Sequence, residues 1–164
     1  MPRLTINEHT LIGSAGIDEG NANGHYILWP KNPYDTAHEL WRYFRARFKI
    51  NSLGVVVVDS HCVPLRWGRV GISIGFFGIE PVDDHSGKPD IFSRPFKYAR
   101  SNMIEGIAAA AVLAIGETNE QTPVCIVRDV PNLLFSDQDR RDELIITPEE
   151  DMYYPLPKPL LDSQ

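Results

Sequence analysis

The chain has 164 residues and is 43% hydrophobic, with three tryptophans, seven phenylalanines and six tyrosines, enough for one sizeable core. Its formal net charge of −6 excludes the broad basic footprint of nucleic-acid binding, although a divalent cation could still bridge acidic side chains to a nucleotide. No apolar run reaches the roughly 18 residues of a membrane span, and "MPRLTINEH" lacks the apolar core of a signal peptide, so a cytoplasmic protein without membrane partners is expected.

"LIGSAGIDEGNANGHYILWP", Leu11 to Pro30, breaks an apolar run with four glycines, two asparagines, Asp18 and Glu19. A plain turn needs two to five such residues, so this loop is long enough to hold a ligand. "NPYDTAHELWRYFRARFK" predicts an amphipathic helix, with Asn32 as N-cap, Pro33 at the first position, and Ala37, Leu40, Trp41, Phe44 and Phe48 at helical spacing. Its basic residues Arg42, Arg45, Arg47 and Lys49 read as a solvated face. "LGVVVVDS" has the continuous β-branched pattern of a strand buried on both faces, and ends in Asp59 and Ser60. A carboxylate there is either a site residue or a cap. His61 and Cys62 follow, but neighbours in a strand point apart, which disfavours a Cys/His dyad.

"GRVGISIGFFGIEP" predicts a strand with Val70, Ile72, Ile74 and Phe76 on one face and Gly71, Ser73 and Gly75 on the other. Either a ligand or the small-residue helix "SNMIEGIAAAAVLAIGE" approaches the bare face, and close helix packing is the favoured reading. That helix should be capped by Asn102 with Glu105 and end at Gly116. Between them, "EPVDDHSGKPDIFSRPFKYAR" is a polar, turn-rich segment in which Lys88 and especially Arg94 are candidate anion contacts. "ETNEQTP", with Glu117 and Glu120, leads into an expected strand, "PVCIV". Cys62 and Cys125 are too few and unpatterned for a disulfide framework or a zinc site. The elements predict an α/β fold with a central mixed sheet and amphipathic helices over residues 1–130. The acid- and proline-rich segment 131–164 is expected to be an arm crossing another surface through Leu133, Leu134, Phe135, Tyr153 and Tyr154. Asp18, Asp59 and Glu117 at loops and element ends offer hard oxygen donors of the kind that bind Mg²⁺ or Mn²⁺.

"SAGIDEGNANGHYILWPKNP", "GVVVVDS", "LRWGRVGISIGFFGIEP", "GKPDIFSRPFK" and "EGIAAAAVLAIGETNEQTPV", in that order, resemble the γ-glutamyl ligases that add L-glutamate to the deazaflavin coenzyme F-420. The closer likeness is to bacterial relatives assigned to folate metabolism. The resemblance runs from about Leu11 to Asp129. It implies GTP as co-substrate, two divalent ions (Mg²⁺ or Mn²⁺), L-glutamate, a carboxylate acceptor and an acyl-phosphate route to an amide. It implies that Asp18 and Asp59 bind one ion and Ser60 and Glu117 the second. Asn21 and the loop Gly116, Glu117, Thr118, Asn119, Glu120 and Gln121 would contact the nucleotide. It further implies the family's own α/β fold, with intertwined dimers. Family members are longer at the N-terminus, so the expectation is that their N-terminal half is absent here. Association as a homodimer or with a separate N-terminal half follows, and a metal- and nucleotide-binding module without turnover is the alternative to a ligase. Ser14 stands where many members have asparagine, Ser93 replaces a glycine, and Glu105-Gly106 replaces an acidic pair.

Overall fold

Residues 3–155 are described in this computed structural model of the chain. An opening hairpin, β1 (Leu4–Asn7) and β2 (Thr10–Gly13), leads through a 3-10 turn at Ser14–Gly16 into the glycine-rich loop. Helix α1 (Pro33–Phe48) begins as its sequence predicts: the Asn32 side chain accepts the Asp35 amide at 3.2 Å, and Pro33 occupies the first turn, where a missing N–H costs nothing. It stops at Lys49, which is left-handed at φ 53°. Of the expected apolar stripe, Ala37 and Trp41 are buried, whereas Leu40 and Phe48 remain 37% and 60% exposed.

The centre is the antiparallel pair β3 (Val55–Cys62) and β4 (Arg69–Phe77). Val57 pairs with Gly75 and Val58 with Ser73, so Ile74 has no partner and forms a bulge. This extra residue alters the expected two-face pattern. Ile72 and Ile74 cluster with Ile12 and Trp29, but Phe76 turns to Ile79 and Ile104, and Phe77 packs with Ala37 and Trp41. Two neighbouring aromatics thus serve opposite faces, each burial contributing about 1.5–3 kcal/mol.

A narrow ribbon follows, β5 (Val82–Asp84) paired with β6 (Arg100–Asn102), and runs directly into α2 (Met103–Ile115). Asn102 caps α2 by accepting the Glu105 amide at 3.0 Å, and Gly116 ends it at φ 88°. Helix packing accounts for the glycines of β4. A Cβ on Gly71 would lie 2.4 Å from the Ala108 carbonyl oxygen in α2, and one on Gly75 would lie 2.5 Å from the Pro33 carbonyl carbon in α1. The two helices therefore press on opposite faces of one two-stranded sheet: Val55 and Val57 face α1, whereas Val56 faces α2.

Three two-stranded antiparallel ladders replace the expected single mixed sheet among the described residues. "PVCIV" forms no strand and joins none of these ladders; Val124 and Ile126 are 74% and 73% exposed, and the Cys125 thiol donates to the Ala111 carbonyl of α2. Both cysteines are free thiols. Of the expected arm, residues 156–164 lie outside the described residues, and the segment from Leu133 to Leu144 packs on its own domain. Leu133 and Leu144 cover the Phe76–Ile79–Ile104 cluster, Phe135 bridges to Ile79, and Arg140 pairs with Glu80 at 3.2 Å. Leu134, Phe135 and Tyr153 stay largely exposed. No helix among the described residues is long and apolar enough to cross a membrane.

Candidate metal and nucleotide site

Successive residues of a strand point to opposite faces, which divides the end of β3. Asp59 pairs with Ile72 and shares that residue's face, where Trp29 donates its indole N–H to Asp59 Oδ2 at 2.6 Å. The Ser60 amide donates to Asp59 Oδ1 at 2.7 Å. Ser60 pairs with Gly71 and so faces α2. There its hydroxyl donates to Glu117 Oε2 at 3.0 Å, just beyond the Gly116 cap. Residues 57 positions apart are thereby joined because α2 lies tightly on the glycine of β4.

The glycine-rich loop is tied to the same region twice. Gly16, at φ 75°, lies flat on the Trp29 indole, where any side chain would collide with the ring. Asn21, left-handed at φ 57°, donates its amide to the Thr118 carbonyl at 2.6 Å. Asp18 forms an isolated bridge with Ile27, and its exposed carboxylate accepts the Gly20 amide at 2.9 Å. Asp18 and Asp59 share no hydrogen bond; their link runs through the Gly16–Trp29 contact.

The loop after α2 is closed on itself. Thr122 donates to the Ile115 carbonyl at 2.7 Å, and Glu120 folds over Gly116 to accept the Thr118 amide at 2.8 Å and its hydroxyl at 3.1 Å. Amide donation from Glu120 itself and from Thr118 holds the Glu120 carboxyl below the ordinary range. Asn119 receives the Thr118 hydroxyl weakly, at 3.5 Å, and Gln121 is left-handed at φ 55°. Burial lowers the pKa of His61, with Asp59 opposing that shift.

Lys88 and Arg94 stand apart from this cluster. Lys88 is taken by Asp83 at 3.2 Å, and Arg94 sits on the ribbon turn, where Asp90 accepts its backbone amide at 2.9 Å. Neither has a hydrogen bond or ion pair to Asp59, Ser60 or Glu117 among the described residues. Two contributors were not singled out from sequence. Trp29 lay inside the quoted loop, and only its reach to Asp59 reveals its part. Arg69, at the start of β4, places its guanidinium 3.8 Å from Glu117 Oε2.

The donor set fits a hard cation. The side chains of Asp18, Asp59, Ser60 and Glu117 offer oxygen only, and Asp59 is oriented by the Trp29 indole and the Ser60 backbone amide, as ligating carboxylates generally are by such partners. No group of three or more His, Cys, Asp or Glu side chains converges as a metal cage among the described residues, so each implied pair would leave most positions to other ligands.

The family described as F420-0:Gamma-glutamyl ligase matches residues 3–129, most of the chain. The chain belongs to this family. The F420-0:Gamma-glutamyl ligase match takes in the whole cluster from Asp18 to Gln121. Curated relatives agree with it. The chain is 31% identical over 151 residues to the coenzyme F420:L-glutamate ligase of Methanococcus maripaludis strain C7, an alignment covering 92% of this chain and 60% of that protein. It is 32% identical over 151 residues to that of Methanocaldococcus jannaschii, covering 92% and 59%, respectively. To that of Methanopyrus kandleri it is 34% identical over 143 residues, covering 85% and 56%. The chain thus spans about 60% of the length of the curated relatives it matches.

Proposed function

We propose that the chain carries the metal and nucleotide site of a GTP-dependent γ-glutamyl ligase, which joins a carboxylate acceptor to L-glutamate through an amide bond. The observation carrying this reading is the pair of contacts Ser60–Glu117 and Asn21–Thr118, which unite three segments distant in sequence. They lie within the region matched by a ligase family. In the proposed reaction the γ-phosphoryl group of GTP passes to an acceptor carboxylate oxygen. The glutamate amine then attacks that acyl carbon and phosphate leaves with its electron pair. A divalent cation, when bound, supplies charge neutralisation at the phosphates.

Within the chain, Asp18 and Asp59 would hold one ion and Ser60 and Glu117 the other, Trp29 would keep Asp59 oriented, and Asn21 with residues 116–121 would seat the nucleotide. The acceptor is a deazaflavin coenzyme or a folate-like carboxylate. The family's own fold and self-association, as a homodimer or with a separate N-terminal half, belong to the same proposal.

Calorimetry with GTP and Mn²⁺ tests the site, and glutamate-dependent phosphate release with each acceptor tests the reaction. Binding abolished by Asp59→Asn supports the assignment, and no binding by the parent chain overturns it. Binding without turnover, even with an N-terminal half from a relative added, would reduce the role to that of a metal- and nucleotide-binding module. Light scattering reads the association.

A further inference from the structure

Arg69 has no place in the ligand sets considered above, yet its guanidinium faces the same carboxylate oxygen that receives the Ser60 hydroxyl. Arg69 lies two residues before Gly71 and therefore shares the α2 face of β4 with it. This places its base beside Ser60 and aims its tip at the loop after Gly116. The approach to Glu117 is loose. At 3.8 Å it exceeds the 2.7–2.9 Å of a charge-assisted hydrogen bond, and both side chains are partly exposed, 55% and 37%. Such a pair holds weakly and is easily displaced. Glu117 is the one carboxylate that Arg69 meets among the described residues, so most of its five N–H donors remain free.

We infer that Arg69 is a built-in counter-cation of Glu117 that yields this carboxylate to a divalent ion and then turns its guanidinium fork to a phosphate of the nucleotide. The inference rests on the reading under Proposed function. Two cations cannot share one carboxylate oxygen without repulsion, so an ion entering at Ser60 and Glu117 pushes the guanidinium outward. A phosphate offers the paired oxygens that a guanidinium fork matches and a lone ammonium does not, and arginine keeps its charge at every working pH. Arg69 would then act as a positioning residue for the ion and a contact residue for the nucleotide, with opposite effects on the two equilibria.

That opposition gives the test. Calorimetry would measure Mn²⁺ alone, and then GTP at saturating Mn²⁺, for the parent chain, Arg69→Gln and Arg69→Lys, with circular dichroism confirming the fold. The expected result is Mn²⁺ binding severalfold tighter in Arg69→Gln, with GTP binding at least tenfold weaker. Arg69→Lys should bind Mn²⁺ like the parent and GTP more weakly, because charge remains and the fork is lost. If Arg69→Gln does not fold, this lysine variant carries the test through its GTP affinity. GTP binding within twofold of the parent in the folded variants overturns the inference alone. A purely structural role would weaken both equilibria together, and that result overturns it too. A parent chain that binds neither Mn²⁺ nor GTP overturns both this inference and the reading on which it rests.

Discussion

Trp29 and Asp59, thirty positions apart, are joined by an indole N–H donated to a carboxylate oxygen at 2.6 Å. The bond fixes the orientation of Asp59 and ties the glycine-rich loop to the end of β3. Trp29→Phe keeps an aromatic ring beneath Gly16 while removing the donor together with part of the indole. Its expected effect is a roughly 10- to 100-fold loss of Mn²⁺ affinity, the usual range for a partner of a metal ligand. Calorimetry checks this, and unchanged affinity would remove Asp59 from the ligand set.

Two glycine-to-alanine changes should have opposite signs. On Gly71 the new methyl would meet the backbone of α2 at 2.4 Å, whereas on Gly106, inside the exposed face of α2, it would meet nothing within 4 Å. Gly71→Ala is expected to destabilise by about 3 kcal/mol or more through overpacking against an immovable carbonyl. Gly106→Ala should stabilise by about 0.5–1 kcal/mol through helix propensity. Urea unfolding of both variants reads the difference.

Ser93 occupies a left-handed conformation, φ 63°, at the ribbon turn. A side chain there costs roughly 1–2 kcal/mol, partly offset by glycine's greater freedom in the unfolded chain. Ser93→Gly should therefore steady the turn by about 1 kcal/mol. The amides of Gly87 and Phe96, which bond across the ribbon, would exchange more slowly with deuterium; unchanged or faster exchange would contradict the strain assigned to Ser93.

Glu105 projects from the first turn of α2 to accept the Ser73 amide at 3.0 Å, and burial raises its pKa above the ordinary 4.5, with that amide opposing. The folded chain therefore binds this proton more tightly than the unfolded chain. Its contribution to stability is full below the ordinary value and is lost as pH rises through the raised one. Glu105→Gln keeps an acceptor for Ser73 without the charge, so the stability of the variant relative to the parent should increase across that window. Denaturation series at several pH values check the slope; a parallel pair of curves would mean that Glu105 titrates normally.

Local signals in the sequence were read correctly where one residue's chemistry decides the outcome. Asn32 and Asn102 as caps, Gly116 as a stop and the helix against Gly71 all follow from nearest-neighbour geometry. Features that depend on what lies across the ladder were not legible. The bulge at Ile74 moved Phe76 to the other face, and "PVCIV", strand-like in composition, joined no ladder. In the site, the adjacency of Asp59 and Ser60 was visible, but the reach of Trp29 and Arg69 was not, because neither belongs to a motif with fixed spacing. Leu133, expected to serve an outside contact, instead closes the chain's own core.

The unpartnered Ile74 also sets which genetic changes the domain can absorb. Upstream of it, odd-numbered positions of β4 face α2; downstream, even-numbered ones do. Exchanging one residue for another leaves that parity intact, so the cost stays local to the new side chain. Deleting the codon of Ile74 would remove the bulge and restore strict alternation from Ser73 to Gly75, with Phe76 and Phe77 kept on the faces they now occupy. This strand can therefore give up one residue without turning either aromatic, losing only the seat of Ile74 against Ile12 and Ile72.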